Sequence, residues 1–152
     1  MLKYVNGDIF ESRCEALVNP VNCVGVAGAG LALEFKKRYP ENHAAYCNYC
    51  KHGYMKPGRV FVFVTDTKKN PHLIINFPTK LHWRNKSRVF PDIHMGLWNL
   101  VDHLFEYQIY SIAIPALGCG KGGLTWHSVK CKMDQILRPF AHGLRILIYE
   151  PH

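Results

Sequence analysis

The hydrophobic positions along the chain follow two spacings, which predict strands and helices in turn. Continuous β-branched and aromatic runs predict buried strands, and apolar residues three and four apart predict helices with one buried face. The predicted strands are residues 2–5, 16–21, 59–65, 73–77, 111–115 and 144–149. The predicted helices are residues 31–39, 41–52, 92–107 and 126–137. This largely alternating order favours a three-layer α/β domain with a mostly parallel central sheet.

Two glycine-rich segments follow predicted strands. Four glycines fall within residues 118–123, directly after the apolar run 112–117, and three more stand at positions 25, 28 and 30. Such loops present consecutive backbone N–H groups to an anion, and a Cβ would keep the ligand away. Ligands of these sheets bind outside the carboxyl ends of the strands, where both loops and residues 77–80 fall. The pattern therefore predicts one shared site for a ligand with more than one phosphate, with two ordinary glycine turns as the alternative.

The two common phosphate-binding motifs do not fit these loops. The spacing of Gly25, Gly28 and Gly30 differs from the dinucleotide fingerprint GxGxxG, and no acidic residue ends a second strand about twenty positions later. The second loop fails as a P-loop because Gly122 stands where Ser or Thr would hold magnesium. A dinucleotide-binding fold and a P-loop fold are therefore both disfavoured.

The charge of the chain indicates an anionic partner. The formal net charge is +8 at pH 7, and residues 80–88 hold four cations together with His82 and Trp83. Cations interleaved with aromatic rings are typical of surfaces that bind single-stranded nucleic acid. A solvated loop around one packed tryptophan is the alternative.

The length of the chain and its cysteines indicate how many domains the protein has and in which compartment it resides. The 152 residues predict a single domain over residues 1–152. No apolar stretch approaches the ~20 residues of a membrane span, and the N-terminus turns polar too soon for a signal peptide. Six irregularly spaced cysteines then predict reduced thiols and a cytoplasmic protein. A zinc site formed by Cys47 and Cys50 with His43 and His52 is disfavoured, because the sequence has no second pair of ligands to complete four. We expect that the protein uses neither a metal ion nor a cofactor.

Four segments together resemble the macrodomain family, whose fold binds ADP-ribose: residues 6–9, 16–22, 25–31 and 114–120. The resemblance runs from residue 2 to residue 151 in the family's order. Residues 76–88 and 118–126 are similar, more narrowly, to antitoxins of the DarG type, whose macrodomain removes ADP-ribose from thymidine bases in DNA. That branch is close to terminal ADP-ribose protein glycohydrolase. The resemblance implies a three-layer α/β/α macrodomain with a six-stranded mixed, mostly parallel sheet.

The resemblance also implies the contacts of the ligand. The Asp8 carboxylate would accept from the adenine amino group while the Ile9 backbone meets the ring, unless Asp8 only caps a helix or turn. Asn22 would reach the distal ribose, whereas Asn19 is either a ligand contact or a structural residue that bonds backbone. Backbone amides of both glycine loops would hold the diphosphate. The expected ADP-ribose contacts are Asp8, Ile9, Asn19, Pro20, Val21, Asn22, Gly28, Ala29, Gly30, Leu31, Thr79, Leu117, Gly118, Cys119, Gly120, Lys121 and Gly122.

Lys80 and Asn22 are the expected catalytic residues, and the chemistry is expected from Lys80. Lys80 directly follows a buried strand, and desolvation with the nearby cations Lys121 and Arg84 would favour its neutral amine. The resemblance implies action at the anomeric carbon of the distal ribose, as nucleophile or as base; a lysine that only pairs with phosphate is the alternative. Cys119 is expected to contribute its backbone amide, since no dedicated base is evident for a catalytic thiol. The expected DNA contacts are His82, Trp83, Arg84, Lys86 and Arg88.

One departure from the related hydrolases bears on the substrate. Enzymes of this branch that act on glutamate-linked ADP-ribose place an acid at the position of Gly122, so a Lys–Asp pair is not expected here. The absence favours ADP-ribosylated single-stranded DNA as substrate. The alternatives are hydrolysis of protein-linked ADP-ribose or O-acetyl-ADP-ribose, and a non-catalytic ADP-ribose-binding module. We expect a monomer that does not bind membranes, with a DarT-type toxin as a possible partner. The toxin-binding C-terminal region typical of DarG proteins is not within residues 1–152, which fits either an excised domain or a protein shorter than its relatives.

Overall fold

A computed structural model describes residues 1–66, 68–84, 88–120 and 122–152. Every predicted element is present, with bounds that differ from the predicted ones by at most three residues. The strands are β1 (Leu2–Val5), β2 (Ala16–Val21), β3 (Phe61–Val64), β4 (Leu73–Pro78), β5 (Ser111–Ile114) and β6 (Arg145–Tyr149). The helices are α1 (Gly30–Arg38), α2 (Pro40–Lys51), α3 (Val89–Glu106) and α4 (Trp126–Leu137), with 3₁₀ turns at Ile9–Glu11 and Arg138–Phe140.

The six strands form one sheet in the order β1-β6-β5-β2-β4-β3. All neighbouring strands are parallel except β3, which pairs antiparallel with β4 at the edge. The mixed, mostly parallel sheet is therefore confirmed. Since five strands run in the same direction, their carboxyl ends meet at one edge, where the segments that follow them come together.

Helices cover both faces of the sheet, which explains why the strands read as continuous apolar runs rather than alternating ones. The larger core lies between the sheet and helices α3 and α4, with Leu97 and Met133 fully buried against strand residues such as Ile75. The opposite face is covered by α1 and α2, through Phe35 and Tyr46. The three-layer α/β/α arrangement follows.

Helix α3 lies unusually close to β4, and a glycine makes this possible. A Cβ on Gly96 would lie 2.5 Å from Cζ of the fully buried Phe77. The helix also begins at Val89, three residues before the predicted start, because Val89 joins the core. This packing fixes the exit of β4, from which Thr79 and Lys80 continue.

Helix α4 is attached to β1 by a group of polar contacts at its C-terminal half. The Tyr4 hydroxyl donates to Asp134 Oδ2 at 2.6 Å, and Arg138 donates to both carboxylate oxygens of Asp134 at 2.9 and 2.7 Å. The hydrogen bonds from Arg138 and Tyr4 lower the pKa of Asp134 to about 2. These contacts hold the end of α4 that lies farther from the carboxyl edge of the sheet.

All six cysteines are free thiols. Within the described ranges, none of the helices has the length and apolar character that a membrane span requires.

Candidate functional site

A cleft of about 1270 Å³ lies at the carboxyl edge of the sheet. Segments that follow β1, β2, β4, β5 and β6 form its walls, together with the first turns of α1. Most of the residues predicted from the sequence to form the site lie along it. The predicted residues that line the cleft are Asp8, Ile9, Pro20, Val21, Asn22, Gly28, Ala29, Gly30, Leu31, Thr79, Lys80, Trp83, Gly118, Cys119, Gly120 and Gly122.

The other predicted site residues that the structure describes do not line the cleft. Leu117 is fully buried in the larger core, and Asn19 is buried inside the sheet–helix interface. His82, Arg84 and Arg88 are not among the residues that line the cleft. The predicted contacts Lys86 and Lys121 lie outside the described residues.

Asn19 takes part in a buried network of three asparagine side chains. Its Nδ2 donates to Asn76 Oδ1 at 3.1 Å, and Asn76 Nδ2 donates to Asn42 Oδ1 at 2.9 Å. The network joins β2, β4 and the first turn of α2. This geometry matches the structural interpretation of Asn19, although its partners are side chains rather than the backbone.

Asn22 organises the first glycine loop. Its Nδ2 donates to Val26 O at 2.9 Å, and its Oδ1 accepts from Val24 N at 3.0 Å. The Tyr46 hydroxyl lies 2.8 Å from the same Oδ1, which anchors the loop on α2. These bonds fix the side chain of Asn22 within the loop, and Asn22 also lines the cleft.

The main chain that leaves β2 and β4 continues to pair beyond both strands. Thr79 N donates to Val21 O at 2.9 Å, and Cys23 N donates to Leu81 O at 3.0 Å. The half-buried Lys80 lies along the chain between these two bonds, and it lines the cleft as Asn22 does. The position of Lys80 in the cleft is therefore set by the backbone of the sheet on both sides of it.

The second glycine loop is a compact turn in which two positions require glycine. Gly118 has φ +72°, and a Cβ there would lie 2.6 Å from Ile93 Cδ1. A Cβ on Gly122 would lie 2.5 Å from Gly118 O, the acceptor that also receives Leu124 N at 3.0 Å. An acidic side chain at position 122 would therefore displace the backbone of Gly118, which explains why this loop holds no acid there.

Cys119 faces the cleft as a protonated thiol. Burial raises the pKa of Cys119 above its ordinary value, and its Sγ lies 3.5 Å from Leu117 O. Its backbone amide donates to Ala116 O at 3.4 Å, a long bond that closes the turn. Because a nucleophilic cysteine needs a lowered pKa, these features do not favour thiolate chemistry.

Asp8 caps the 3₁₀ turn and also contacts a cation that sequence reasoning missed. Its Oδ1 accepts from Phe10 N at 2.9 Å, and its Oδ2 lies 4.0 Å from Arg38 Nη2. The Arg38 guanidinium lies 4.3 Å above the centre of the Phe10 ring. Phe10 and Arg38 both line the cleft, and they lie too far apart in the chain for a local motif to reveal their contact.

The segment after Lys80 presents an aromatic ring and cations at the mouth of the cleft. Trp83 is 41% exposed, and the Arg84 guanidinium lies 4.4 Å above its ring. The His82 ring centre lies 5.1 Å from that of Trp83. Arg88 lies 3.8 Å from the buried carboxylate of Asp92, so part of its charge faces α3.

The Cys47–Cys50 segment lies in α2, beneath the first glycine loop. Cys47 Sγ contacts Gly25 O at 3.4 Å and His43 Nε2 at 3.3 Å. Within the part of the chain that the structure describes, no group of three or more His, Cys, Asp or Glu side chains is arranged to hold a metal ion.

Comparison with known proteins identifies the family. The Macro domain profile matches residues 18–133. The DNA ADP-ribosyl glycohydrolase of Thermus aquaticus is 44% identical over 99% of this chain and 41% of its own length. The solved macrodomain of Thermus aquaticus DarG superposes with a TM-score of 0.94, at 44% identity over 99% of both chains. Thermosipho africanus DarTG in complex with ADP-ribose superposes with a TM-score of 0.91, at 34% identity over 99% of this chain and 41% of that one.

The fold and the cleft thus define an α/β domain with two glycine loops at the carboxyl edge of its sheet, and the chain belongs to the macrodomain family. Its similarity is particularly high to macrodomains of DarG proteins. The chain spans less than half the length of the curated DNA ADP-ribosyl glycohydrolases that it matches.

We expect Gly122→Ala to destabilise the domain and Gly120→Ala to leave its stability nearly unchanged. The added methyl at position 122 meets the Gly118 backbone at 2.5 Å, whereas a Cβ at position 120 meets no described atom within 4 Å. Overpacking of this kind costs about 1–3 kcal/mol of unfolding free energy. Urea denaturation of the two variants checks this, and equal stability of both would contradict the described packing of the loop.

Proposed function

We propose that this domain is a DNA ADP-ribosyl glycohydrolase that removes ADP-ribose from thymidine bases of single-stranded DNA. The observation that carries the proposal is Lys80, held in the cleft between the exits of β2 and β4 and followed by the exposed ring of Trp83. The similarity over nearly the whole chain to proteins named for this activity supports it. No carboxylate stands in the described part of the second glycine loop to serve in place of Lys80.

The ligand would lie along the edge of the sheet, with its diphosphate between the two glycine loops. A Cβ on Gly28 would meet no described atom within 4 Å, so the first loop leaves open space for the ligand. Helix α1 begins two residues later, and the N-terminus of a helix favours a phosphate. Adenine would lie near Asp8 and Ile9, and the distal ribose near Asn22, Thr79 and Lys80.

Lys80 would act at the anomeric carbon of the distal ribose. In the overall reaction, water adds its oxygen to that carbon and the bond to the base nitrogen breaks with its electron pair. The base nitrogen takes up a proton, so the products are ADP-ribose and the unmodified base. The neutral amine of Lys80 would either remove the proton from the attacking water or attack the carbon itself, forming an adduct that water then hydrolyses.

The DNA strand would continue from the cleft over residues 82–88. The exposed Trp83 ring would stack on a base, and the Arg84 guanidinium that lies over one face of the ring would pair with a phosphate. His82 and Arg88 extend this surface, and Lys86, outside the described residues, belongs to the same segment. The net charge of +8 supports a polyanionic substrate.

A DNA ADP-ribosyltransferase of the DarT type would supply the substrate, and the domain would counter its toxicity in the cytoplasm. The similarity to Thermosipho africanus DarTG supports this pairing. We propose that the domain acts as a monomer.

Lys80→Ala should abolish hydrolysis while the domain still binds ADP-ribose. Loss of a group that transfers the proton or attacks the carbon lowers the rate at least about a hundredfold. Mass analysis of an ADP-ribosylated thymidine oligonucleotide before and after incubation measures the reaction, and calorimetry measures the binding of ADP-ribose. Lys132→Ala, which removes a lysine of α4 outside the cleft, is the matched control and should hydrolyse at the wild-type rate.

Full activity of Lys80→Ala would refute the assigned role of Lys80. If the wild type binds ADP-ribose but releases none from DNA, the domain is a non-catalytic reader. If it releases ADP-ribose only from protein glutamate or from O-acetyl-ADP-ribose, the DNA substrate is wrong.

Trp83→Ala should weaken binding of unmodified single-stranded DNA about tenfold, since stacking on an aromatic side chain contributes about 1–3 kcal/mol per base. Arg84→Gln should reduce the slope of log affinity against log salt by about 0.7, as expected for one lost phosphate contact. Fluorescence anisotropy at several salt concentrations measures both effects. The control Lys132→Gln should leave affinity and slope unchanged, and equal effects of all three variants would argue against a localised DNA surface.

A further inference from the structure

Glu150 places a carboxylate at the cleft, although the ligand proposed for the cleft is an anion. It follows β6 directly, and its backbone N–H donates to Val5 O at 2.9 Å, which extends the β1–β6 pairing. The side chain is 29% exposed and lines the cleft. Neither the sequence patterns nor the proposed reaction assigns it a role.

The carboxylate is held by two residues of α4. Trp126 Nε1 donates to Glu150 Oε2 at 3.0 Å, and Lys130 Nζ lies 3.5 Å from the same oxygen. The hydrogen bond from Trp126 and the charge of Lys130 lower the pKa of Glu150. The carboxylate is therefore charged at neutral pH, and Lys130 balances that charge.

Trp126 connects Glu150 to the second glycine loop. It is the first residue of α4 and stands two residues after Leu124, whose N–H closes the loop on Gly118 O at 3.0 Å. Its ring also packs edge-to-face on Tyr4 at a centroid distance of 6.4 Å. The Glu150–Trp126 bond thus joins the exit of β6 to the end of the loop.

We propose that Glu150 is a positioning residue: through Trp126 it holds the second glycine loop in its anion-binding shape, and Lys130 neutralises it so that the cleft accepts a diphosphate. A loop with four glycines within residues 118–123 loses much conformational entropy when it is ordered. A fixed attachment at its C-terminal end lowers the entropy lost when the ligand binds. This inference rests on the proposed ADP-ribose ligand.

The test compares variants that remove the bond from either side. Glu150→Ala removes the acceptor, and Trp126→Phe removes the donor but keeps a ring. Each substitution should weaken ADP-ribose binding about five- to twentyfold. The double variant should have the same affinity as the single variant that binds ADP-ribose more weakly, because both substitutions remove the same hydrogen bond. Glu150→Gln keeps an acceptor oxygen for Trp126 and should retain affinity within about threefold of the wild type.

Arg138→Ala is the matched control at the other end of α4. It removes the two hydrogen bonds to Asp134 but keeps the bond between Tyr4 and Asp134, and Arg138 does not line the cleft. It should lower the melting temperature but leave ADP-ribose affinity unchanged. A general loosening of α4 would instead weaken binding in Arg138→Ala and Glu150→Ala alike, and that outcome would overturn the proposal.

Hydrogen–deuterium exchange separates this inference from the proposed function. Without any ligand, amides of residues 117–124 should exchange faster in Glu150→Ala than in the wild type or in Arg138→Ala. If the wild type fails to bind ADP-ribose, the proposed ligand is wrong, yet the exchange result still tests the positioning of the loop. Unchanged exchange in Glu150→Ala, or wild-type affinity of this variant for ADP-ribose, would overturn the role of Glu150.

Discussion

The parallel alignment of β1, β6, β5, β2 and β4 is the constraint on which the site depends. It delivers five carboxyl ends to one edge, and the main-chain pairing continues past the strands at two of them. Thr79 N bonds to Val21 O beyond the pair β2–β4, and Glu150 N bonds to Val5 O beyond β1–β6. Lys80 and Glu150, at opposite parts of the cleft, are therefore both positioned by the backbone of the sheet.

The glycines of the two loops have two different structural roles. Gly118 and Gly122 are required by close packing, because a Cβ at either position would lie within 2.6 Å of a neighbouring atom. Gly28 and Gly120 border open space, where a side chain would enter the cleft rather than the protein. The first pair shapes the second loop, and the second pair leaves room for a ligand. The same packing leaves no space for an acid at position 122, which supports placing the chemistry on Lys80.

The sequence predicted the elements and most of the lining of the cleft, because both depend on local patterns. Apolar runs identified β2 with its observed bounds, and glycine spacing located both loops. Helix α3 was predicted to begin three residues late, since Val89 is recruited by contacts distant in sequence. The side chain of Asn22 was assigned to the ligand alone, but it also bonds within its own loop.

Arg38 and Glu150 are among the residues of the cleft that the sequence did not predict. Each acts through a partner far along the chain, Phe10 and Trp126 respectively, and no local spacing reports such contacts. A charged residue on its own most often indicates a solvated surface. Only the folded arrangement, which brings the exits of β1 and β6 beside α1 and α4, gives these two charges a place in the site.

We propose that ADP-ribose lies along the carboxyl edge of the sheet with its distal ribose at Lys80. A crystal structure of the wild-type domain with ADP-ribose tests this arrangement. We expect the diphosphate between the two glycine loops and the anomeric carbon within about 3.5 Å of Lys80 Nζ. A ligand bound in the reverse direction, with its distal ribose beside Asp8, or one bound outside the cleft, would contradict it.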